Sequence, residues 1–445
     1  MTQLPDGPQG NSAWQLIRWI ADPLAYLEAG AQRYGSIFTL RLLGFSPFVI
    51  IGDPQGIQEI FTVDAKEYDA GRSNGIVRFL VGDNSLLLLD GDRHKHERKL
   101  LMPPFHGEKL HVYSRRISDI ADKLASQWPV GQTFVAREAL QDITLEIILQ
   151  VVFGLQKGDR YRQIKPLLAA LLDMTASPVK ASLMFFKFLQ KDWGAWSPWG
   201  RVIRQKQKVY ELLQAEIDAR RDRAEITGND VLSLMMLARD ENGQSMTDDE
   251  LKDEMMTLLV AGHETTATLL AWALYWIHRL PEVGEKLRQE LQGLGKDPDP
   301  MAICQLPYLT AVCQETLRIY PVVFITFPRM ARSPVEVMGR KFATDVMLVP
   351  CIYLVHHRPD LYPEPKQFKP ERFLERQYSP YEYFPFGGGN RRCLGYALAQ
   401  MEMKLVLAAI LSRYKLALAD NKPVLPQRRG LTIAPAGGVR MVVLA

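Results

Sequence analysis

Residues 251–280 constrain the fold more than any other part of the sequence, because they read as one long helix that is apolar on most of its sides. Thr247-Asp-Asp-Glu250 precedes them as a capping box, in which the Thr and Glu side chains satisfy the first unpaired backbone N–H groups. Pro281 ends the pattern, since proline lacks the N–H group that a continuing helix needs. A helix without a polar face is usually buried, so this one is predicted to cross the centre of the protein.

Polar residues interrupt this helix at its middle, in Ala261-Gly-His-Glu-Thr-Thr266. Polar groups in a buried helix cost free energy unless they are used, and glycine beside threonine predicts a local kink or bulge. His263-Glu264 begins the zinc motif H-E-x-x-H, but Ala267 replaces the second histidine, which excludes zinc. His263 is interpreted as a structural residue.

A second unusual stretch is the loop Phe384–Gly395, which reads FPFGGGNRRCLG. Its glycines allow positive φ angles and close approach of the backbone to a flat ligand. Cys393 lies just before a helical pattern that starts at Tyr396, where free N–H groups and the helix dipole stabilise a thiolate. The loop therefore indicates a thiolate held out to a metal or another electrophile.

The remainder of the chain combines long helical patterns with few, scattered strand patterns. Asp22-Pro23 and Asp53-Pro54 predict helix starts, with aspartate as N-cap and proline at the first helical position. Residues 36–43 and 48–51 are predicted strands. The predicted fold class is mainly α with small β-sheets (α+β). The chain reads as a single domain over 1–445, with residues 1–20 as an N-terminal extension.

Residues 185–199 carry a high density of aromatic side chains. A core cluster is the ordinary interpretation of such a segment, and an apolar ligand-entry or membrane-touching loop is the alternative. The aromatic residues concerned are Phe185, Phe186, Phe188, Trp193, Trp196 and Trp199.

Composition excludes several functional classes. The 54 Lys and Arg residues exceed the 50 Asp and Glu residues by too little to predict a nucleic-acid partner. The four cysteines lack C-x-x-C spacing, so neither a zinc cluster nor a disulfide framework is expected. This cysteine usage indicates a reducing compartment. The N-terminus has no long apolar run. The sequence predicts a soluble, cytoplasmic monomer without a transmembrane anchor, and it leaves peripheral membrane contact open.

Together these elements resemble a cytochrome P450 from residue 20 to residue 440. The cysteine loop matches the family signature F-x-x-G-x-R-x-C-x-G at Phe386, Gly389, Arg391, Cys393 and Gly395. The other matching elements are E-x-x-R at Glu315–Arg318, P-E-R-F at Pro370–Phe373 and A-G-x-E-T-T at Ala261–Thr266. The resemblance implies the cytochrome P450 fold, with the long central helix lying over the haem.

The resemblance implies haem b as cofactor, with Cys393 as the thiolate ligand of the iron. It further implies cofactor-binding positions, of which the cations would hold the two propionates. These positions are Arg391, His94, Arg98, Arg329, Phe386, Gly387 and Ala261. Glu315, Arg318 and Arg372 match the family's structural network, so their expected role is stability of the fold and of the haem loop.

On the opposite side of the haem the resemblance places Thr265 and Glu264 as catalytic residues. Thr265 would organise protons for the cleavage of dioxygen and Glu264 would be its acidic neighbour, because that reaction consumes protons. A hydroxyl bond from Thr265 to its own helix backbone is the ordinary alternative, and both can hold together.

The segments that contact substrate in the family are apolar here, at 69–90, 170–200, 255–266, 322–327 and 431–434. They favour a lipophilic substrate, and the motifs are similar to those of bacterial and cyanobacterial fatty-acid hydroxylases. A terpenoid, carotenoid or flavonoid stays open as an alternative. Arg72 or Arg78 would pair with a substrate carboxylate, or both would be solvated.

The resemblance also implies a separate ferredoxin or flavodoxin with its reductase, which would pass electrons from NAD(P)H for a reaction with O2. A basic face around the cysteine loop would steer an acidic carrier. Its expected residues are Arg392, Arg93, Lys95, Lys99, Arg115 and Arg116. Rival readings are a peroxide-using haem-thiolate peroxygenase or isomerase, and a non-catalytic carrier of lipophiles.

Overall fold

The computed structural model describes residues 4–63, 67–173, 190–194, 197–223 and 225–444. Most of the predicted aromatic segment, including Phe185, Phe186, Phe188 and Trp196, lies outside these ranges, as does Met174. The described helices are α1 Ser12–Ala21, α2 Pro23–Tyr34, α3 Pro54–Thr62, α4 Arg78–Val81, α5 Gly91–Leu101, α6 Glu108–Ala125, α7 Ala136–Ile147, α8 Asp159–Asp173, α9 Pro198–Arg221, α10 Val231–Leu237, α11 Asp248–Arg279, α12 Pro281–Gln292, α13 Pro300–Cys304, α14 Pro307–Ile319, α15 Ile352–His356, α16 Arg372–Glu375 and α17 Tyr396–Arg413.

Short strands form four small sheets beside these helices. The strands are β1 Ile37–Leu40, β2 Phe48–Ile51, β3 Tyr68–Asp69, β4 Thr133–Val135, β5 Arg329–Ala331, β6 Val335–Val337, β7 Arg340–Phe342, β8 Met347–Pro350, β9 Lys415–Leu418, β10 Pro426–Arg429, β11 Thr432–Pro435 and β12 Arg440–Leu444. The largest sheet has the order β1-β2-β8-β5-β3, and only its β2–β8 pair is parallel. The other sheets are β4-β12-β9, β10-β11 and β6-β7. This architecture confirms the predicted class, mainly α with small β-sheets.

The long helix α11 lies at the centre of the fold and packs against α7, α9, α12, α14 and α17. Its predicted capping box is present, since the Thr247 N–H donates to Glu250 Oε2 (2.9 Å) and the Glu250 N–H donates to Thr247 Oγ1 (3.3 Å). The helix ends at Arg279, and Pro281 starts the next one. Of the predicted kink or bulge, the bulge is absent, because the helix continues unbroken through residues 261–266.

Two further helix starts agree with the sequence. The Asp22 carboxylate accepts from the Ala25 N–H at 3.1 Å, and the Asp53 carboxylate accepts from the Gln55 N–H at 3.0 Å. Residues 1–20, read as an extension, include most of α1, whose Trp19 is buried with its ring centroid 5.4 Å from that of Phe324. Helix α1 therefore packs into a core cluster of the main body.

The E-x-x-R pair forms a fully buried network on α14. Arg318 Nε and Nη2 donate to the two carboxylate oxygens of Glu315 at 2.7 and 2.9 Å, and Arg372 Nε donates to Glu315 Oε1 at 3.2 Å. The remaining Arg318 N–H groups reach the carbonyls of His356, Pro365 and Gln367. The three predicted partners thus meet, and they join α14 to the meander that leads to the cysteine loop.

Candidate functional site

The cysteine loop folds back on itself immediately before α17. The Cys393 N–H donates to the Phe386 carbonyl at 2.9 Å, and the Gly387 N–H donates to the Phe384 carbonyl at 2.9 Å. Gly387 has φ of 67°, a region that residues with a Cβ rarely adopt. A Cβ on Gly388 would lie 2.2 Å from the Phe61 ring, so this glycine lets the loop pack against α3. The predicted tight turn is present, and part of the glycine run serves protein packing.

Cys393 is exposed, although the surrounding protein desolvates its thiol. This desolvation raises the pKa of the Cys393 thiol, while the Gly395 N–H and the guanidiniums of Arg98 and Arg392 act to lower it. The sequence predicted a thiolate stabilised by the helix terminus. The structure adds that burial acts against this effect and raises the pKa of the thiol.

The same kind of accessibility occurs on one face of α11. Ala261 is exposed, and Leu258, Gly262 and Thr265 are half-buried, whereas most of this helix is buried. These positions are three or four residues apart, so they form one stripe along the helix. The Thr265 hydroxyl donates to the Ala261 carbonyl at 2.5 Å. The centre of the longest helix therefore presents a small, accessible face with one hydroxyl.

Residues 84–90 connect this helix with the cysteine loop. The Leu86 N–H donates to Glu254 Oε1 of α11 at 2.5 Å. From the other side, Arg391 Nη1 donates to the Leu86 carbonyl at 3.3 Å and Arg391 Nη2 donates to the Leu89 carbonyl at 2.6 Å. Residues 84–90 thus contact both α11, which carries the accessible stripe, and the cysteine loop, which carries the thiol.

The four predicted propionate-binding residues cluster. Burial lowers the pKa of His94 to about 3, and the positive charges of Arg391, Arg98 and Arg329 lower it further. His94 is therefore neutral and lies near all three guanidiniums. Burial also lowers the pKa of Arg329 to about 9 and that of Arg391 to about 10. Arg329 Nη1 donates to the Phe327 carbonyl at 2.7 Å, and Arg329 Nη2 donates to the Gly388 carbonyl at 3.5 Å.

One acidic residue that the sequence reading missed lies in this cluster. Asp90 Oδ1 accepts from Arg391 Nη2 at 2.5 Å, and in the described part of the chain no other carboxylate pairs with Arg391, Arg98 or Arg329. Three guanidiniums thus face one carboxylate, which leaves an excess of two positive charges in a desolvated place. Such an excess is costly unless an anion compensates it. The helix start at Asp90-Gly91 was the signal available in the sequence.

Glu264 is not on the accessible stripe. Its carboxylate is buried and accepts from Gln141 Nε2 at 2.6 Å and from Arg137 Nη1 at 3.2 Å. Arg429 Nε of β10 lies 3.4 Å from the same carboxylate. The structure therefore directs the two predicted catalytic side chains, Glu264 and Thr265, to different surroundings.

Apolar residues from two of the predicted substrate segments are accessible. Val323, Phe327 and Leu431 are each between 36 and 37% exposed. The Ile433 N–H donates to the Val322 carbonyl at 2.8 Å, which brings the β10–β11 hairpin beside the 322–327 segment. Other predicted contacts are packed in cores instead, namely Leu171, Leu172, Leu259, Phe324 and Ile433.

The predicted carboxylate-binding arginines lie at the surface. Arg72 pairs with Asp345 at 2.9 Å and Arg78 pairs with Asp83 at 2.6 Å, and all four side chains are more than half exposed. Exposed ion pairs of this kind contribute little free energy. The geometry matches the solvated interpretation of both residues.

The predicted basic face is smaller than the sequence indicated. Lys99 pairs with Glu241 at 2.6 Å, and Arg115 pairs with Asp297 at 3.3 Å. Arg93 lies 3.5 Å from Glu250, and Arg116 donates to the Gln150 carbonyl. Arg392 is exposed and lies over the Tyr396 ring at 4.0 Å. Lys95 is also exposed and has no acidic partner among the described residues.

Comparison with protein families matches residues 5–439 to the family described as Cytochrome P450. This chain belongs to the cytochrome P450 family. The protein of Mycobacterium tuberculosis provisionally named cytochrome P450 135B1 is 36% identical over 447 residues, covering 99% of this chain and 92% of that protein. The one provisionally named cytochrome P450 138 is 30% identical, covering 100% of this chain and 97% of that protein.

Solved cytochrome P450 structures have the same fold. The retinoic acid-bound cyanobacterial CYP120A1 aligns with a TM-score of 0.85 at 24% identity, covering 100% of this chain and 99% of that chain. The cytochrome P450DA haem domain aligns with a TM-score of 0.85 at 23% identity, covering 100% and 98%. As a cytochrome P450, the protein is a monooxygenase of the oxidoreductase class. No described helix is long and apolar enough to span a membrane.

The site chemistry fits the haem that this family carries. Haem brings two propionates, and the cation cluster has an excess of two positive charges. Haem iron takes a thiolate in this family, and Cys393 is an accessible thiol beside that cluster. Arg98 links the two features, because its charge acts on both the Cys393 thiol and His94.

Proposed function

We propose that this cytochrome P450 hydroxylates a lipophilic substrate, a long-chain fatty acid or a similar molecule, with O2 and electrons from a separate ferredoxin or flavodoxin and its reductase. The substrate C–H bond becomes C–OH, and the second oxygen atom leaves as water after two electrons and two protons are added. The observation that carries the proposal is an accessible thiol next to three guanidiniums that one carboxylate cannot balance.

In this proposal Cys393 ligates the haem iron, and Arg391, His94, Arg98 and Arg329 hold the two propionates. The lowered pKa of His94 makes its imidazole neutral, so it donates one hydrogen bond and adds no charge. Bound haem supplies the chemistry that activates O2, and the thiolate pushes electron density onto the iron. Phe386 and Gly387 shape the cysteine loop that would hold the haem, and the small, exposed side chain of Ala261 would leave room for it beside α11.

We assign proton handling to Thr265 and Glu264 in two separate roles. The Thr265 hydroxyl is on the accessible stripe and can exchange its bond to the Ala261 carbonyl for one to a reacting oxygen atom. Glu264 is the acid that supplies protons from the next face of the helix. Its bonds to Arg137 and Gln141 must loosen before it can do so, since they occupy its carboxylate.

The substrate assignment rests on the chemistry of the accessible side chains. Val323, Phe327 and Leu431 offer apolar surface, and Leu258 and Ala261 extend it along α11. This lining suits a hydrocarbon chain. Arg72 and Arg78 do not support recognition of a carboxylate, because each is already paired with an aspartate in solvent.

We place the docking of the electron carrier on the face that carries Arg392 and Lys95. Both cations are exposed, and Arg392 is adjacent to Cys393 in the chain. An acidic carrier would be steered there by long-range attraction, which salt screens. The rate of reduction by the carrier should fall with ionic strength and fall further in an Arg392→Glu variant. A rate indifferent to both changes would exclude this docking face.

A second candidate is a peroxide-using haem-thiolate enzyme. Its support is the position of Glu264, whose carboxylate is engaged with Arg137 and Gln141 away from the accessible stripe. Hydrogen peroxide brings the two electrons and two protons of the reaction, so such an enzyme needs neither an electron carrier nor a residue that delivers protons from solvent.

One series of measurements separates these functions. The reduced carbonyl complex should first show the spectrum of thiolate ligation. Lipophiles are then screened for shifts of the haem spin state, and those that bind are tested for turnover with ferredoxin and reductase, and with hydrogen peroxide alone. The proposal expects hydroxylated product with the carrier system. Product with peroxide alone would support the second candidate, and spin shifts without any product would indicate a carrier of lipophiles.

Thr265→Ala sharpens the same series. We expect product per electron pair to fall about tenfold and released hydrogen peroxide to rise, because ordered proton delivery is lost. Thr266→Ala is the control, since Thr266 follows Thr265 in the chain but its side chain is buried. Unchanged coupling in the Thr265 variant would remove that hydroxyl from the mechanism.

A further inference from the structure

Asp90 is the meeting point of several donors from different parts of the chain. Its Oδ1 accepts from the Ala70 N–H at 2.8 Å, the Gly71 N–H at 2.9 Å and Arg391 Nη2 at 2.5 Å. Its Oδ2 accepts from the Arg72 N–H at 3.0 Å. Four hydrogen bonds to one carboxylate fix both oxygens in place.

Capping of its own helix does not account for this arrangement. Asp90 occupies the N-cap position of α5, where aspartate normally accepts from the second or third N–H of the helix. The structure has no such bond from the Asp90 side chain. The carboxylate points instead to residues 70–72 and to the cysteine loop.

The segments that Asp90 joins all lead to the site. It directly precedes α5, which carries His94 and Arg98. Residues 70–72 lead into the turn Arg72–Val77 and then α4, within the apolar segment expected to contact substrate. The hydroxyl of Ser73 donates to the Pro328 carbonyl at 2.9 Å, beside Arg329. Asp90 therefore ties the start of the substrate segment to α5 and to the cysteine loop, and Ser73 ties the same segment to the residue before Arg329.

Asp90 also pairs its negative charge with the cation cluster, in addition to accepting hydrogen bonds from the backbone. The other bonds of Arg391 go to the neutral carbonyls of Leu86 and Leu89. In the described residues Asp90 is the one acidic group paired with the cation cluster.

We propose that Asp90 is a positioning residue that presents Arg391 to a haem propionate and fixes residues 70–72 at the start of the segment expected to contact substrate. This inference rests on the proposed role of Arg391. A substitution at Asp90 should therefore change both the binding of the haem and the backbone hydrogen bonds of residues 70–72.

The test uses haem-loaded Asp90→Asn, Asp90→Ala and Asp90→Glu proteins. Loss of the negative charge should raise the haem reduction potential in the Asn and Ala variants, because a more positive surrounding favours ferrous haem. Haem transfer to apomyoglobin should be several-fold faster in both variants. Amide hydrogen exchange of residues 70–72 should be faster as well. Asp90→Glu should restore the potential toward that of the unaltered protein.

Asp53→Ala is the matched control. Asp53 also pairs with an arginine, Arg358 at 2.8 Å, and it caps α3, but its partner is outside the cation cluster. It should leave the potential, haem transfer and exchange at 70–72 unchanged. If Asp90→Asn matches the unaltered protein in potential and haem transfer, the proposal is wrong, even where amide exchange rises. Absence of thiolate ligation in the unaltered protein would instead overturn the proposed function.

Discussion

Two buried groups of arginines in this protein differ in how their charges are balanced. In the first, Arg318 and Arg372 share Glu315, and each N–H of Arg318 that forms a hydrogen bond reaches Glu315 or a backbone carbonyl. In the second, Arg391, Arg98 and Arg329 surround a neutral His94, with Asp90 as their acidic partner.

The difference separates a folding element from a binding element. In the first group two guanidiniums share the carboxylate of Glu315, which leaves one positive charge, and backbone carbonyls accept the other hydrogen bonds of Arg318. The second group carries two positive charges that the described residues do not balance, and a dianionic ligand resolves that cost. The first group joins α14 to the chain before the cysteine loop, and the second is proposed to hold the haem propionates.

Cys393→Ser has the largest expected effect, because it removes the thiol that lies beside the second group. The variant should lose the thiolate spectrum of the reduced carbonyl complex completely, because a serine hydroxyl does not replace the thiolate. Cys304→Ser is the control, since burial raises the pKa of that thiol to about 11 and no ligand role is assigned to it. A thiolate spectrum in the Cys393 variant would refute the assignment of the ligand.

Glu315→Ala breaks the first group. Two buried guanidiniums would lose their shared carboxylate, so the free energy of unfolding should fall by about 3–5 kcal/mol, with little haem-loaded protein recovered. Chemical denaturation and the haem content report both effects. Glu285→Ala is the control with identical spacing, because Glu285 and Arg288 form an exposed pair whose removal should have little effect. Normal haem incorporation in the Glu315 variant would refute the structural role.

Glu402→Gln tests a buried acidic residue that has no partner of opposite charge. Burial raises the pKa of Glu402 on α17 to about 8, and its Oε1 has no hydrogen-bond partner within the described structure. The folded protein therefore binds a proton there that the unfolded chain releases near pH 4.5, so stability falls as pH rises from about 4.5 to 8. The variant should flatten this fall and gain about 1–3 kcal/mol above pH 8. An unchanged pH profile would contradict the burial argument.

Arg98→Gln has the smallest expected effect and sharpens the comparison. Removing one cation from an unbalanced group should leave helix content by circular dichroism unchanged, while haem transfer to apomyoglobin speeds up about tenfold, equivalent to ~1.4 kcal/mol. Arg72→Gln, in an exposed ion pair, should change neither quantity. Loss of helix content with unchanged haem transfer would show that Arg98 stabilises the fold and does not bind the haem.

Local sequence was sufficient for the elements whose determinants are contiguous. The capping box at Thr247–Glu250, the aspartate caps of α2 and α3 and the breaks at proline were predictable, because each depends on side chains within a few residues. The family and its cysteine loop were predictable for the same reason, since the signature is a continuous stretch.

Spacing alone was insufficient wherever burial decides the role of a residue. Glu315–Arg318 and Glu285–Arg288 are both E-x-x-R, and only the fold shows that the first pair is fully buried and the second exposed. Arg72 and Arg78 read as ligand candidates until their aspartate partners were visible. The expected bulge in α11 did not form, and the Thr265 hydroxyl bonds instead to the Ala261 carbonyl of an unbroken helix.

The sequence by itself determined the family and the starts of α2, α3 and α11, because these depend on residue type and short-range order. Only the tertiary structure decided the electrostatics: that burial raises the pKa of Cys393, that Glu264 is occupied by Arg137 and Gln141, and that Asp90 accepts from Arg391. Charges interact through space, and Asp90 and Arg391 are 301 residues apart in the chain.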